Sequence, residues 1–284
     1  MAGTLFVVAT PIGNLDDIST RAIRVLREVS LIAAEDTRHT GQLLQRFGVT
    51  TRTTSFHEHS EKGKALELIS RLQAGESLAL VSDAGTPVVS DPGEHLIRLA
   101  HEAGIRVEPV PGPSAVLAAL SASGFGSGGF SFLGFPPTKG AERTAWMARF
   151  EAAPAVAPAV VFYEAPHRIQ TTLAELLRRF GDLDVCIARE VTKAHEDIRV
   201  GTLAGLAVDE VRGEFTVVIS FGQTTTLSGR TIPPDPDNMV LEFGQMTKSD
   251  GLTRRMAMSS LSRKYGLPAR QIFDMLEKGK KSTI

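Results

Sequence analysis

The residues best suited to chemistry stand in two charged pairs and in loops of glycine, proline and acid. Asp36 and Arg38 lie two apart in Glu35-Asp-Thr-Arg-His-Thr-Gly, and Glu190 and Lys193 share the stretch Ala188-Arg-Glu-Val-Thr-Lys. A carboxylate beside a cation could take a proton from a weakly acidic hydroxyl, while the cation steadies the developing oxyanion or holds an adjacent phosphate. A salt bridge or a helix cap reads the same way. The segments Pro11-Ile-Gly-Asn-Leu-Asp-Asp, Asp83-Ala-Gly-Thr-Pro and Pro111-Gly-Pro-Ser-Ala are of a different kind. Their glycines, Gly13, Gly85 and Gly112, let backbone approach a ligand or turn with positive φ, and the neighbouring prolines stiffen the loops.

Several ligand classes are disfavoured. Gly13 stands alone where a dinucleotide fingerprint needs three glycines, and no Gly-Lys-Ser/Thr phosphate loop is present. His57-Glu-His59 sends its two rings to opposite faces if extended, and the single cysteine, Cys186, belongs to no cysteine–histidine cluster. No metal site is expected.

Position along the chain explains why these loops matter. Residues 5–10, 31–34, 78–82 and 106–110 read as strands; 19–29, 61–74, 92–103 and 114–122 read as helices. This alternation signals a largely parallel sheet, whose sites lie beyond the carboxyl ends of its strands. The segments beginning at Pro11, Glu35, Asp83 and Pro111 all occupy that position. Three glycine–proline loops on one sheet edge favour a ligand cradle over three independent turns. Pro92 is expected at the first position of its helix. A glycine- and serine-rich stretch at 121–129 marks a junction. Beyond it, 160–163, 185–188 and 215–221 read as strands and 169–180 as a helix. The resulting division is an N-terminal α/β domain at 1–122, a second α/β domain at 123–222, a polar linker at 223–237 and a basic extension at 238–284, with helices at 252–265 and 268–279.

Five segments together resemble the tetrapyrrole methylase family: Thr10-Pro-Ile-Gly-Asn-Leu-Asp-Asp-Ile, Ala34-Glu-Asp-Thr-Arg-His-Thr, Val81-Ser-Asp-Ala-Gly-Thr-Pro-Val-Val-Ser-Asp-Pro-Gly, Pro109-Val-Pro-Gly-Pro-Ser-Ala and Phe162-Tyr-Glu-Ala-Pro-His-Arg. They occur in the family's order, between about residues 5 and 221. The resemblance implies two α/β domains with S-adenosyl-L-methionine in the cleft between them, plus a small helical C-terminal extension. It places cofactor contacts at Pro11 and Gly13, at Asp83, Ala84, Gly85 and Thr86, at Ser114 and Ala115, and at Tyr163, Glu164 and Ala188. Asp83-Ala-Gly-Thr-Pro replaces the Gly-Asp-Pro of many small-molecule members. That departure favours the branch that methylates a cytidine ribose 2′-hydroxyl in small-subunit (16S) rRNA. Asp36, Arg38, Glu190 and Lys193 are then the candidate catalytic residues. A homodimer is also implied.

Charge fits an RNA substrate only locally. The 284 residues carry a formal net charge of -1, with 42% hydrophobic and 22% charged residues, which excludes a uniformly basic nucleic-acid binder. From 238 onward, however, nine Lys or Arg face four Asp or Glu. Arg254, Arg255, Arg263, Lys264 and Arg270 are the expected contacts with rRNA or the 30S subunit, although such charge also keeps helices soluble. The start of the chain has no basic leader pattern, and no apolar run reaches a membrane-spanning length of roughly 20 residues. A cytoplasmic protein without a membrane partner is expected. Methylation of a small tetrapyrrole, or a noncatalytic role in rRNA binding and assembly, are the alternatives.

Overall fold

The computed structural model describes residues 2–57, 61–222, 236–248, 253–254, 257–258, 261 and 271–276. In the first domain, strands and helices alternate: β1 (Thr4–Val8), α1 (Thr20–Glu28), β2 (Leu31–Ala34), α2 (Thr37–Arg46), β3 (Thr53–Ser55), α3 (Glu61–Gln73), β4 (Leu78–Val81), α4 (Glu94–Glu102), β5 (Arg106–Val110) and α5 (Ala115–Ser123). The sheet order is β3-β2-β4-β1-β5, every pair parallel. β2 and β4 are buried along their whole length, as unbroken apolar strands are when helices cover both faces. Leu68 and Leu72 of α3 and Leu96 of α4 pack on Leu5, Leu78 and Leu80 on one face. Val25 and Leu26 of α1 and Leu44 of α2 pack on Val8, Ile32 and Val81 on the other.

Three local features differ from the sequence reading. The segment after β2 is the start of α2, with Asp36 as its N-cap. Its polar first turn and Gly41 conceal Leu43 and Leu44, which dock the helix on the sheet. Pro92 precedes the cap of α4, because Gly93, at φ 132°, occupies the N-cap itself. β3 is a three-residue edge strand whose Thr-Thr-Ser sequence carries no apolar signal.

The second domain contains β6 (Phe130–Phe132), α6 (Gly140–Ala152), β7 (Ala159–Glu164), α7 (Ile169–Phe180), β8 (Asp184–Arg189), β9 (Asp197–Thr202) and β10 (Phe215–Ser220). Their order is β6-β7-β10-β8-β9. β10 lies antiparallel between β7 and β8, β9 is antiparallel to β8, and only β6 pairs in parallel. Trp146, Met147 and Phe150 of α6 and Leu173 and Leu176 of α7 cover one face, against Phe162, Val217 and Ile219. The buried Trp146 indole donates to the Leu133 carbonyl at 3.0 Å.

Helix α5 covers the opposite face. Although it ends the first unit in chain order, its Val116, Ala119 and Leu120 pack on Ala159, Val161, Cys186, Ala188 and Val218 of the second sheet. Its N-terminus meets the first sheet's loops while its body belongs to the second core.

The extension begins with α8 (Pro236–Lys248), which starts inside the stretch expected to be linker. Met239, Leu261, Ile272 and Leu276 form a small apolar cluster of their own. Arg254 is helical and exposed. Arg255, Arg263, Lys264 and Arg270, along with residues 223–235, lie outside the described residues. No helix among the described residues is long and apolar enough to cross a membrane.

Candidate active site

Parallel strands end on one edge, so the loops after β2, β4, β1 and β5 emerge there in adjacent order. The loop after β4 is fastened first. Thr10 donates its amide to the Gly85 carbonyl at 2.8 Å and accepts the Gly85 amide at 3.1 Å. Thr10 Oγ1 also donates to the Ser82 carbonyl at 3.2 Å. Gly85 has φ 82°, and a Cβ there would stand 3.3 Å from Ile12 Cγ2, so the turn favours glycine on both grounds. Beyond it, Val88 (φ 75°) and Ser90 (φ 69°) also adopt left-handed backbone. A β-branched residue there stores strain of about 1–3 kcal/mol, which the surrounding bonds must hold. Thr86 Oγ1 supplies one such bond, donating to the Pro113 carbonyl at 3.2 Å.

Two adjoining cavities open along this edge. The first, of about 260 Å³, is lined by Asp83, Ala84, Gly85, Thr86, Ser114, Ala115, Tyr163 and Glu164, all expected from the sequence. It is also lined by Glu35, Asp91, Phe135 and Thr216, which were not. The second, of about 350 Å³, is lined by Pro11, Gly13, His39, Gln42 and Lys193. Ile12, Asp83, Ala84 and Glu214 border both.

Ala188 departs from expectation. It is fully buried within β8 among the residues packed on α5, and Thr216, its register partner on β10, reaches the cavity instead. Glu164 lines the first cavity, but its carboxylate is fully buried and already engaged. It accepts from the Ala165 amide at 2.8 Å and from Thr172 Oγ1 at 2.5 Å, and it pairs with Arg168 at 3.2 Å. Arg168 also donates to the Pro136 carbonyl.

The first charged pair is bonded within itself at the start of α2. Asp36 Oδ1 caps α2 by accepting the Arg38 amide at 2.8 Å, and Asp36 Oδ2 meets the Arg38 guanidinium at 2.7 Å. Hydrogen bonds from Arg38 hold the Asp36 carboxyl far below the usual carboxylate range. A group so reluctant to take a proton is a poor base, and neither residue lines a cavity.

The second pair does reach the cleft. Lys193 Nζ bridges Glu190 at 2.9 Å and Glu214 at 3.0 Å, and Lys193 lines the second cavity while Glu190 stands behind it. Glu190 (φ 50°) and Thr192 (φ 68°) bend this segment over the first domain. There the Asn14 amide donates to Thr192 Oγ1 at 3.0 Å. A Cβ on Gly13 would lie 2.3 Å from Lys193 Cγ. Gly13 therefore serves the contact between the domains.

Glu35 and Asp91 were missed as site residues. Burial raises the Glu35 carboxyl against its hydrogen bond from the Asp83 amide; the nearby Asp83 and Asp36 charges add to the rise and His57 opposes it. Burial pushes Asp91 up to about 6 against a hydrogen bond with Ser82, and the Glu35 and Asp83 charges push the same way. Burial, and then the Asp91 charge, lift the Tyr163 hydroxyl to about 12. Asp91 lies in the family-like segment from Val81 to Gly93, directly before Pro92-Gly93, and Glu35 in the one from Ala34 to Thr40. Among the described residues, no group of three or more His, Cys, Asp or Glu is placed to hold a metal ion.

Known proteins share this arrangement. Residues 4–207 match the family described as Tetrapyrrole (Corrin/Porphyrin) Methylases. A protein of Pseudomonas aeruginosa, named ribosomal RNA small subunit methyltransferase I, is 53% identical over 226 residues, covering 77% of this chain and 79% of its own length. A protein of the same name from Synechocystis sp. is 41% identical over 278 residues, covering 96% and 97%. Among solved structures, uroporphyrin-III C-methyltransferase from Thermus thermophilus, complexed with S-adenyl homocysteine, superposes with a TM-score of 0.53 at 18% identity, over 77% of this chain and 97% of that one. With its paired sheets, its glycine–proline edge and a match over most of its length, the chain belongs to the tetrapyrrole methylase family.

Proposed function

We propose that the chain transfers a methyl group from S-adenosyl-L-methionine to the ribose 2′-hydroxyl of a cytidine in small-subunit (16S) rRNA, acting in the cytoplasm on the rRNA or on the 30S subunit. The observation that carries this reading is the interdomain cleft lined by Asp83–Thr86, Ser114, Ala115 and Tyr163, in a chain whose relatives are named for small-subunit rRNA methylation. The residues present suit the donor. Three carboxylates, none ion-paired to a described lysine or arginine, suit its sulfonium, the α5 N-terminus suits its carboxylate, and Tyr163 and Phe135 offer aromatic surface to its base.

When bound, the donor supplies an electrophilic methyl group. The chain's part is to hold the acceptor in line and to keep water out, because most of the acceleration of a displacement comes from geometry. Asp83 stands on the wall common to both cavities. One of its oxygens is fixed by the Asp36 amide, and its other oxygen is the proton acceptor in this reading. Lys193 steadies the developing alkoxide or an adjacent phosphate in the second cavity. Exposed Leu117 on α5 and Val200 on the edge strand β9 are apolar surface that a second copy would cover in a homodimer.

Transfer of labelled methyl to rRNA, assembled 30S subunits and a porphyrinoid tests the function. Label entering small-subunit rRNA is the expected result. Label in the porphyrinoid alone, or tight RNA binding without label, would replace this reading with small-molecule methylation or a noncatalytic role.

A further inference from the structure

The two cavities differ in charge. Among the described residues, no lysine, arginine or histidine lines the first, whereas His39 and Lys193 line the second. Of the acids on the first, Glu164 is neutralised by Arg168 and Glu214 by Lys193. Among the described residues, no lysine or arginine forms an ion pair with Glu35, Asp83 or Asp91, although His57 lies close enough to lower the Glu35 carboxyl and the Arg38 charge is felt at Asp83. These three carboxylates are grouped by the backbone: Glu35 accepts the Asp83 amide at 3.3 Å, Asp83 accepts the Asp36 amide at 2.9 Å, and the left-handed residues Val88 and Ser90 lead the chain back so that Asp91 joins them. A partly buried carboxylate that must ionise beside two others stays costly until a cation arrives. Among the described residues no group of three or more His, Cys, Asp or Glu is placed to hold a metal ion, and the cavity admits an organic molecule.

Resting on the methyl donor assigned above, we propose that Glu35, Asp83 and Asp91 make this cavity selective for charge. They hold the sulfonium form of the donor in preference to the neutral thioether that remains after transfer. The donor carries one positive charge more than its product and is otherwise nearly the same shape, so shape cannot separate the two. An acidic wall in which no described lysine or arginine is ion-paired to these three carboxylates can. Loss of the positive charge then weakens binding at the moment of transfer, and the product leaves without competing strongly with fresh donor.

Calorimetric binding of three molecules to the full chain tests this: S-adenosylmethionine, S-adenosylhomocysteine, and sinefungin, which bears an ammonium where the donor has its sulfonium. The wild-type protein should bind the two cations more tightly than the neutral thioether. Asp91→Asn and Glu35→Gln should each cut that preference by about fivefold, as the loss of one charge in a partly buried group of three would do, with thioether affinity little changed. A second readout needs no variant. Asp91 titrates at about 6 and is faced by Glu35, Asp83, Tyr163 and Glu214. Lowering the pH from about 7.5 to about 5.5 should therefore reduce the wild-type preference in the same direction. Equal wild-type affinity for donor and thioether, or a preference unmoved by both variants and by pH, would overturn the proposal and leave the donor assignment standing. If none of the three molecules binds, the donor assignment itself fails, and this inference with it.

Discussion

The Asp36 amide donates to Asp83 Oδ1 at 2.9 Å across 47 residues of chain. Glu35 Oε2 accepts the Asp83 amide at 3.3 Å, so the loops after β2 and β4 hold each other reciprocally. Asp83→Ala strands the Asp36 amide, which should cost about 1–2 kcal/mol of stability and weaken donor binding. Asp83→Asn keeps an acceptor oxygen and should recover most of the stability. Thermal unfolding and calorimetry on both variants check this; an alanine variant as stable as the asparagine one would refute it.

Gly13→Ala should separate the domains locally. The added carbon would stand 2.3 Å from Lys193 Cγ and 2.9 Å from Thr192 Oγ1. Neither atom is the free end of a flexible side chain, so the bond from the Asn14 amide should break along with the packing. The expected result is at least tenfold lower methyl transfer for a melting temperature lowered by only a few degrees, corresponding to about 1 kcal/mol. Unimpaired transfer would show that this contact does not position the cleft.

Arg168→Leu should be far more damaging to folding. It leaves the Glu164 carboxylate, which has no exposed surface, without its cation. Breaking such a pair costs about 3 kcal/mol or more. The double variant Arg168→Leu, Glu164→Gln should recover part of that loss. Thermal melts of the single and double variants decide the matter, and equal melts would show that the buried charge is not the cause.

Stability should also depend on pH at Asp91. Its folded value of about 6 lies above the ordinary 3.8, so the native state holds the proton more tightly than the unfolded chain. The stabilisation is fully present below pH 3.8 and is lost as pH rises through 6. Asp91→Asn should remove that dependence. Above pH 6 the variant should exceed the wild type by about 1 kcal/mol, after allowance for solvent screening at a half-buried group. A variant less stable than wild type at neutral pH contradicts this.

Removal of residues 238–284 should weaken binding to rRNA or the 30S subunit, with a loss that shrinks as salt rises. Donor affinity should be unchanged, because Met239, Leu261, Ile272 and Leu276 cluster with one another and no described residue of this extension lines either cavity. Unaltered subunit binding across a salt series would remove the extension from the interface.

What the sequence revealed depended on where each residue's role was decided. β2, β5 and α7 were legible to the residue, since an unbroken apolar run, a short valine-bearing stretch between Gly104-Ile105 and the Pro111-Gly-Pro turn, and a clean helical period respectively settle them locally. α2 was hidden by a polar first turn, and β9 by Asp-Ile-Arg-Val-Gly-Thr, a mixed strand on an exposed edge. The loops at Asp83 and Ser114 were readable from glycine and proline. Asp91 and Glu35 lie inside family-like segments, yet their grouping was not readable, because it comes from a strained turn and from proximity between carboxylates 48 residues apart. Asp36 was ambiguous for a related reason: its spacing from Arg38 suits catalysis and capping equally, and the capping bond becomes visible only in the structure.

The place of β10 also carries a consequence for biosynthesis. Among the described residues it is the last strand made, yet it is the middle strand of its sheet, pairing with both β7 and β8. A growing chain can complete the five-stranded first sheet once β5 has emerged, but α5 must then wait with its apolar face uncovered. Only when Phe215–Ser220 inserts does that helix find its full partner, and Glu214 and Thr216 arrive at the cleft in the same event. Translation thus builds one wall of the cleft early and the other in a single late step, making the helix between them the stretch most in need of protection on the ribosome.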